Sequence, residues 1–176
     1  MGGFKFPIPC PDNPEKSLKI QGEIVRILDA FTELSTELST ELSTRKKQYT
    51  YYREKLLTFD DRDVEWKELG EVGQFLRGKR FVKIDMIHEG FPCIHYGEMY
   101  THYGIWTKET KSFVNEALAS KLRVANHGDV VIVAAGETIE DIGNGTAWLG
   151  KKDVVIHDAC FSYKSELNPK YVSYFL

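Results

Sequence analysis

The sequence predicts an α+β protein in which one long coiled-coil helix precedes a β-rich globular domain. Residues 15–57 contain no proline and only one glycine, Gly22, and their large apolar side chains recur at steps of three and four. After residue 64 the pattern changes to short apolar runs interrupted by glycine. A chain of 176 residues has room for one globular domain and one extended element.

The elements follow one another in a clear order. Residues 1–12 form an extended lead-in, because Pro7, Pro9 and Pro11 exclude a helix. The spacer helix covers 13–57, with Asn13 as its cap and Pro14 in the first turn. A polar linker at 58–64 leads to the globular domain at 65–176, which we expect to be incomplete at its C-terminal end. Within that domain we expect strands at 81–84, 91–94, 129–133 and 153–156 and helices at 109–121 and from 169 onward.

The helix carries an apolar seam. At 1.5 Å per residue a helix over 14–57 would be about 66 Å long, so one small domain could not bury it. It therefore needs a partner helix. The steps of three and four are interrupted by a stutter at Leu42, which locally unwinds a left-handed supercoil. The residues expected to pair with the partner helix are Ile20, Ile24, Ile27, Phe31, Leu34, Leu38, Leu42, Tyr49, Tyr52 and Leu56.

Residues 32–43 repeat Thr-Glu-Leu-Ser three times. Thr and Ser are mediocre helix formers, so helix propensity does not explain the repeat. One copy changes the helix length by about 6 Å and rotates the downstream part of the helix by about 40°. The repeat could therefore act as a ruler that is lengthened without losing the seam. The alternative is a product of replication slippage that has no role.

Charge and cysteine content exclude several classes of protein. The net charge of −3 argues against indiscriminate coating of nucleic acid, so local basic patches must do any DNA binding. Cys10, Cys93 and Cys160 are too far apart for a zinc site or a disulfide framework. No apolar run reaches membrane-spanning length and the first residues lack a signal peptide, so we expect a cytoplasmic protein.

Several stretches of the chain together resemble the specificity subunits of type I restriction-modification enzymes. Residues 21–29 look like the start of that family's conserved helix, and the repeats with residues 45–57 look like its continuation. Residues 66–72 resemble the entry to a target-recognition domain, and residues 96–101, 128–132 and 136–143 match the family's strand-and-turn pattern. The family's subunits usually carry two recognition domains and two antiparallel helices, so this chain resembles a half-length form.

The resemblance implies a non-catalytic subunit that reads one half of a bipartite double-stranded DNA target. The helix would dock the modification (methyltransferase) subunits and set the spacing between half-sites, and restriction subunits would then join. A second copy could supply the missing half as a homodimer through the helix. DNA methylation needs S-adenosylmethionine and translocation needs ATP and Mg²⁺, but these are expected only on the partner subunits, so we expect no cofactor and no metal in this chain.

A protein that recognises a specific DNA sequence needs positively charged groups to contact the phosphates and hydrogen-bonding groups to contact the base edges. Basic residues lie around Gly78, aromatic and polar residues alternate between Gly97 and Gly104, and a Gly-rich loop pair begins at residue 136. A solvated turn, core aromatic residues and tight turns are the respective structural alternatives, since a strand would turn Tyr103 away from Tyr96 and Tyr100. The candidate DNA contacts are Arg77, Lys79, Arg80, Lys83, Tyr96, Tyr100, Thr101, His102, Tyr103, Thr138 and Asn144.

Two other functional classes are open on the sequence. A coiled-coil assembly protein would use the helix to recruit a partner and would make no DNA contact. A free-standing hydrolase would rest on His157, Asp158 and Cys160. Neighbouring strand residues point to opposite faces, so His157 and Asp158 could not cooperate if their strand continued. We therefore assign no catalytic residue.

Overall fold

Helix α1, Pro14–Leu57, dominates the first part of the computed structural model, which describes residues 2–3, 5–60, 64–136 and 138–176. It begins where the sequence places it, because the Asn13 side chain accepts a hydrogen bond from the Lys16 N–H at 3.0 Å and proline occupies the first turn. It ends at Thr58, whose backbone is extended. Two structural units result, Met1–Thr58 and Phe59–Leu176, referred to below as the helical unit and the β unit.

The apolar seam of α1 is exposed in the chain by itself. Apart from the half-buried Ile20, every residue of the predicted seam lies between 42% exposed at Ile27 and 70% at Leu56. Burial of such side chains contributes about 1.5–3 kcal/mol each, so the stripe favours association with a partner.

The Thr-Glu-Leu-Ser repeat is helical throughout, although Thr and Ser compete with the backbone in helices. Their hydroxyls bond to carbonyls four residues earlier: Thr36 to Thr32 at 2.9 Å, Ser39 to Ser35 at 2.8 Å and Thr40 to Thr36 at 2.9 Å. The repeat thereby satisfies these groups within the helix, and each copy is structurally equivalent to the next.

The β unit contains two facing sheets. The five-stranded sheet has the order β1-β9-β6-β7-β3 and the four-stranded sheet the order β4-β2-β8-β5. The strands are β1 Gly73–Arg77, β2 Phe91–Ile94, β3 Trp106–Thr107, β4 Ser112–Val114, β5 Val124–Ala125, β6 Val130–Val133, β7 Gly145–Trp148, β8 Val154–Ile156 and β9 Cys160–Ser165. The short helices are α2 Leu69–Val72, α3 Tyr96–Thr101, α4 Glu116–Ala119 and α5 Pro169–Phe175.

The main core lies between the sheets, and β6 shows how the sequence builds it. Val131 and Val133 pack toward the four-stranded sheet with Ile94, Val154 and other buried side chains. Val130 and Ile132 point the other way and pack with Tyr163 and Val172 beneath α5. Both faces of β6 are therefore covered, which explains why four consecutive residues of the strand are apolar. Phe81, Cys93 and Val155 form a further cluster on the outer face of the four-stranded sheet.

Two sequence-based expectations about local structure are wrong. Residues 81–84 are not a strand, because the Val82 N–H donates to Asp85 Oδ2 at 2.8 Å and closes a 3-10 turn at Lys83–Asp85. The segment 109–121 is only partly helical. Ser112–Val114 pairs with β2 instead, and Asn115 caps the short α4 by accepting from the Leu118 N–H at 2.8 Å.

The segment between Gly97 and Gly104 is also not a strand. His95 Nδ1 accepts a hydrogen bond from the Gly97 N–H at 3.2 Å, and the Glu98 carboxylate accepts from the His95 N–H at 3.3 Å. These two bonds form a reciprocal helix cap, so α3 begins at Tyr96. The alternation of aromatic and polar residues in this segment therefore does not place them on two faces of a sheet.

The packing around Gly78 yields a stability prediction. A Cβ atom at this position would overlap the backbone carbonyls of Ile156 and His157, which belong to a different segment of the chain. We expect Gly78→Ala to lower the free energy of unfolding by about 1–3 kcal/mol, because overlapping backbone atoms must move apart. Urea unfolding followed by far-UV circular dichroism measures this change.

Gly70→Ala is the matched control. Gly70 lies in α2 with no atom near its would-be Cβ, so alanine should leave stability unchanged or raise it by about 0.5–1 kcal/mol. Equal effects of the two substitutions would contradict the close approach at Gly78.

Candidate nucleic-acid interface

Four connections of the β unit meet at one end of the two sheets. They follow β1, follow β2, join β6 to β7, and join β8 to β9. The last of these, residues 157–159, crosses from one sheet to the other and is bonded to its neighbours: the His157 N–H donates to the Ile94 carbonyl at 3.2 Å, and the Ala134 N–H donates to the Ala159 carbonyl at 2.8 Å. Directly after the crossing, the Cys160 carbonyl of β9 accepts from the Gly78 N–H at 2.9 Å. We call this region the crossing end.

The predicted cations gather at the crossing end. Arg77 Nε donates to the Asp158 carbonyl at 2.9 Å, and Lys79 Nζ donates to the Lys121 carbonyl at 3.0 Å. Arg80 and Lys83 come directly after them and are exposed. The side chains of Arg77 and Lys79 are therefore held by the backbone of neighbouring loops, and Arg80 and Lys83 line the cleft described below.

The structure adds two cations that the sequence alone did not single out. Lys121 is exposed next to Lys79, and the Arg123 carbonyl accepts a hydrogen bond from the Ile156 N–H at 3.0 Å. Both therefore border the same region. Their sequence signal is a pair of basic residues flanking Leu122, which is too common a pattern to be selective.

A cleft of about 350 Å³ opens between the cations. Its walls combine positive charge with aromatic surface, and it is lined by Arg80, Phe81, Val82, Lys83, His95, Tyr96, His157 and Asp158. The rings of His95 and His157 lie 4.5 Å apart between centroids, and the Tyr96 ring lies 4.6 Å from His95 and 5.2 Å from His157. These contacts hold the three rings as one cluster.

Both histidines of the cleft are held in the neutral form. Burial is the largest cause that lowers the pKa of His95 to about 4, and the positive charge of the nearby Lys83 acts in the same direction. Burial also lowers the pKa of His157, although Asp158 opposes this shift. In each ring Nδ1 accepts a backbone N–H, from Gly97 in one case and from Ala159 at 3.1 Å in the other. In His95 the remaining proton therefore lies on Nε2, whereas Nδ1 of His157 lies within reach of both the Ala159 N–H and Asp158 Oδ1.

The arrangement of His157, Asp158 and Cys160 differs from the sequence-based argument but does not support a nucleophile. Strand β8 ends at Ile156, so His157 and Asp158 need not face opposite ways, and Asp158 Oδ1 lies 3.1 Å from His157 Nδ1. Cys160, however, is fully buried, and burial together with Asp158 raises the pKa of its thiol to about 12. A buried thiol that stays protonated at neutral pH is not an effective nucleophile.

The other predicted contact residues take several positions. Tyr100 and Tyr103 pack against the main core, and the Tyr103 hydroxyl accepts a hydrogen bond from the Lys111 N–H at 2.8 Å, so Tyr103 has a structural role. Thr101 Oγ1 donates to the Gly97 carbonyl at 2.7 Å, while His102 is exposed with its ring against Tyr103.

Thr138 and Asn144 lie in the loop between β6 and β7, which reaches the crossing end. The Thr138 N–H donates to Asp141 Oδ2 at 3.2 Å, and the Asn144 side chain donates to the Glu140 carbonyl at 2.7 Å. Both residues stabilise the loop and are exposed. Glu137, between Gly136 and Thr138, lies outside the described residues.

Metal sites and membrane-spanning helices are not found in the part of the chain that the structure describes. Among those residues, no group of three or more His, Cys, Asp or Glu side chains is placed to hold a metal ion. Within the same ranges, no helix is both long enough and apolar enough to cross a membrane.

The known sequences that are similar to this chain belong to one class of protein. No family model matches it. It is 66% identical over 74 residues to the type I restriction enzyme EcoR124I/EcoR124II specificity subunit of Escherichia coli, covering 42% of this chain and 18% of that protein. It is 50% identical over 107 residues to the Escherichia coli EcoprrI specificity subunit, covering 53% and 27%.

A third relative extends the similarity over most of the chain. The putative specificity subunit S.HindORF215P of Haemophilus influenzae is 36% identical over 144 residues, which cover 75% of this chain and 34% of that protein. The matches therefore span about a third or less of the length of these relatives.

Solved structures support the fold class. A structure from a type I R-M system matches 89% of this chain and 41% of its own with a TM-score of 0.53, at 18% identity. The HsdS subunit from Thermoanaerobacter tengcongensis matches 88% and 40% with a TM-score of 0.50, also at 18% identity. A long helix followed by a β-rich domain, as predicted from the sequence, is therefore a known combination.

The neutral histidine pair generates a prediction about pH. Between pH 6.5 and about 4 the unfolded chain binds a proton at His95 that the folded protein does not, so stability should fall as the pH is lowered through this window. Above pH 6.5 this contribution to the pH dependence disappears. His95→Asn retains a side-chain acceptor for the cap of α3 and should reduce the slope of unfolding free energy against pH, measured by urea titration.

The same substitution at His88, an exposed residue that does not line the cleft, is the matched control. A His95→Asn slope identical to that of the unmodified chain would show that the His95 ring does not titrate as its burial requires.

Proposed function

Because this chain is a homologue of type I restriction enzyme specificity subunits, we propose that it reads one half of a bipartite DNA target in the cytoplasm, without catalytic activity of its own. The chain spans about a third or less of the relatives' length. Its single β unit would therefore correspond to one target-recognition domain. The observation that carries this proposal is the convergence of the cations with the ring-lined cleft at the crossing end.

The crossing end offers two kinds of contact to duplex DNA. Arg77, at the end of β1, and Lys79, Arg80 and Lys83 in the segment that follows it would position the duplex through its phosphates. Tyr96 and the β6–β7 loop that carries Thr138 and Asn144 offer hydroxyl and amide groups to base edges. With a net charge of −3 the protein as a whole does not attract DNA, so binding depends on this surface.

Helix α1 would supply the assembly function. Its exposed seam would pair with the α1 of a second copy to give a homodimer, and the pair would dock modification subunits, followed by restriction subunits. S-adenosylmethionine, ATP and Mg²⁺ would be bound by those partners, leaving this chain without a cofactor. Antiparallel pairing would present two β units, each to one half-site.

The cation surface is tested by Arg80→Gln combined with Lys83→Gln. In the complex with modification subunits, the double variant should bind duplex DNA more weakly. The slope of log affinity against log salt concentration should become shallower by about 0.9 for each phosphate that the variant no longer neutralises. Fluorescence anisotropy across a salt series measures both quantities.

Lys151→Gln combined with Lys152→Gln is the matched control. These exposed lysines lie in the turn between β7 and β8, at the other end of the strands from the cleft, so their removal should leave the slope unchanged. Unchanged DNA binding by the Arg80/Lys83 variant would favour a coiled-coil assembly protein that makes no DNA contact through this surface.

The repeat is tested by deleting or adding one Thr-Glu-Leu-Ser copy. Each edit changes α1 by about 6 Å, which corresponds to about one or two base pairs at roughly 3.4 Å per pair. The tolerated spacer between half-sites should change by that amount, as measured by mapping methylated sites in the assembled enzyme.

A length-neutral control is Thr36→Ala with Thr40→Ala, which removes two hydroxyls without changing the register of the helix. A spacer that stays the same after deletion of a copy would exclude the ruler and leave slippage as the origin of the repeat.

A further inference from the structure

An apolar groove of about 660 Å³ runs along the β unit between α5 and the segment that leads into β1. Phe59, Trp66, Leu69, Tyr171, Phe175 and Leu176 contribute to its lining. The rings of Trp66 and Phe175 lie 6.5 Å apart between centroids, and those of Tyr171 and Phe175 lie 6.4 Å apart. Its size is within the range that accommodates a small ligand or a few side chains.

The groove is separate from the DNA-reading surface. It shares no lining residue with the cleft at the crossing end. Its aromatic rings are substantially exposed, with Trp66 at 62% and Tyr171 at 42%. A contiguous aromatic surface of this kind on a folded domain commonly marks a binding site.

The chain also carries an exposed apolar segment of matching character. Residues 5–8, which we call the arm, lie outside any helix or strand, and Phe6 and Ile8 are 78% and 64% exposed. Each of these two residues precedes a proline, which disfavours helical backbone and favours an extended or polyproline conformation. Where the arm is extended like a strand, side chains two residues apart point to one side, so Phe6 and Ile8 would then present a single apolar edge.

Extended proline-rich segments bind in grooves lined by aromatic residues, because the segment loses little conformational entropy and its prolines pack on the rings. The arm is at most about 13 Å long at roughly 3.3 Å per residue. It therefore brings two large apolar side chains and Pro7 within a span that a groove of this volume can receive. Lys5 would meet a segment, residues 65–71, that contains three Glu and one Lys.

We propose that the arm of one copy binds in the apolar groove of a second copy. This inference rests on the proposed pairing of α1, which identifies the occupant. In an antiparallel pair the start of one α1 at Pro14 lies beside the end of the other at Leu57. The arm of the first copy then emerges next to Phe59 of the second, which is two residues beyond Leu57 and is the first residue of the groove.

Thiol crosslinking between two differently tagged copies tests the proposal. The arm copy keeps its native Cys10, two residues beyond Ile8. The groove copy carries Cys10→Ser and Tyr171→Cys, and the remaining cysteines, Cys93 and Cys160, are buried in both. The full-length copies are mixed and treated with a short bismaleimide, which alkylates both thiols. A covalent species with one copy of each tag is the expected product.

Two controls make the crosslink specific. A groove copy with Ile139→Cys instead of Tyr171→Cys places an equally reactive thiol at an exposed position outside the groove and should give at least about five-fold less product. Ile8→Asp in the arm copy should lower the yield of the Tyr171→Cys crosslink by a similar factor. The dimer mass from sedimentation should remain the same in the Ile8→Asp sample.

The outcomes separate this proposal from helix pairing. A dimer that forms without the mixed crosslink, or with one that is insensitive to Ile8→Asp, overturns arm binding and leaves the pairing intact. A monomer by sedimentation overturns both. A crosslink confined to single chains that carry Cys10 and Tyr171→Cys together shows that the arm binds its own groove and overturns binding to a second copy.

Discussion

The crossing between the two sheets at residues 157–159 is the constraint on which the proposed DNA-binding surface depends. Its three residues hold groups from both sheets at once: the Ala159 carbonyl accepts from the Ala134 and Ala135 N–H groups, the Asp158 carbonyl accepts from Arg77, and the His157 N–H donates to Ile94. A backbone carbonyl keeps its position whatever the side chains in solvent do, so the bond to Asp158 fixes Arg77 relative to the cleft.

Because His95 and His157 are neutral, they add no positive charge to the cleft, and the cations around it are not repelled by its aromatic lining. If His95 or His157 were protonated, a positive charge would lie among Arg80, Lys83 and the partner ring, and burial would make that charge still less favourable. The Gly97 N–H at Nδ1 of His95 keeps the proton of that ring on Nε2. The lining of the cleft therefore combines the positive charges of Arg80 and Lys83 with the uncharged rings and with the carboxylate of Asp158.

Features that depend on local chemistry were predictable from the sequence, and features that depend on distant partners were not. The bounds of α1 follow from Asn13, Pro14 and the apolar steps, and β2, β6 and β8 follow from short apolar runs. Strands β1 and β9 were missed because neither contains a run of four apolar residues, and they are defined by pairing with each other across most of the β unit. The cation list anticipated the crossing end, whereas the stacking of His95 on His157 required knowledge that β2 and β8 are parallel neighbours.

The helical unit and the β unit differ in how their apolar side chains are buried. The β unit buries its apolar residues on both faces of its central strands, so its stability is internal and its surface is available for recognition. The helical unit has no such core among its described residues: its repeat satisfies its own hydroxyl groups, but its leucines remain in solvent. In the proposed pair of helices, the length of α1 would set the length of the interface that buries this stripe. An edit to the repeat would then change a distance between copies rather than the stability of a core.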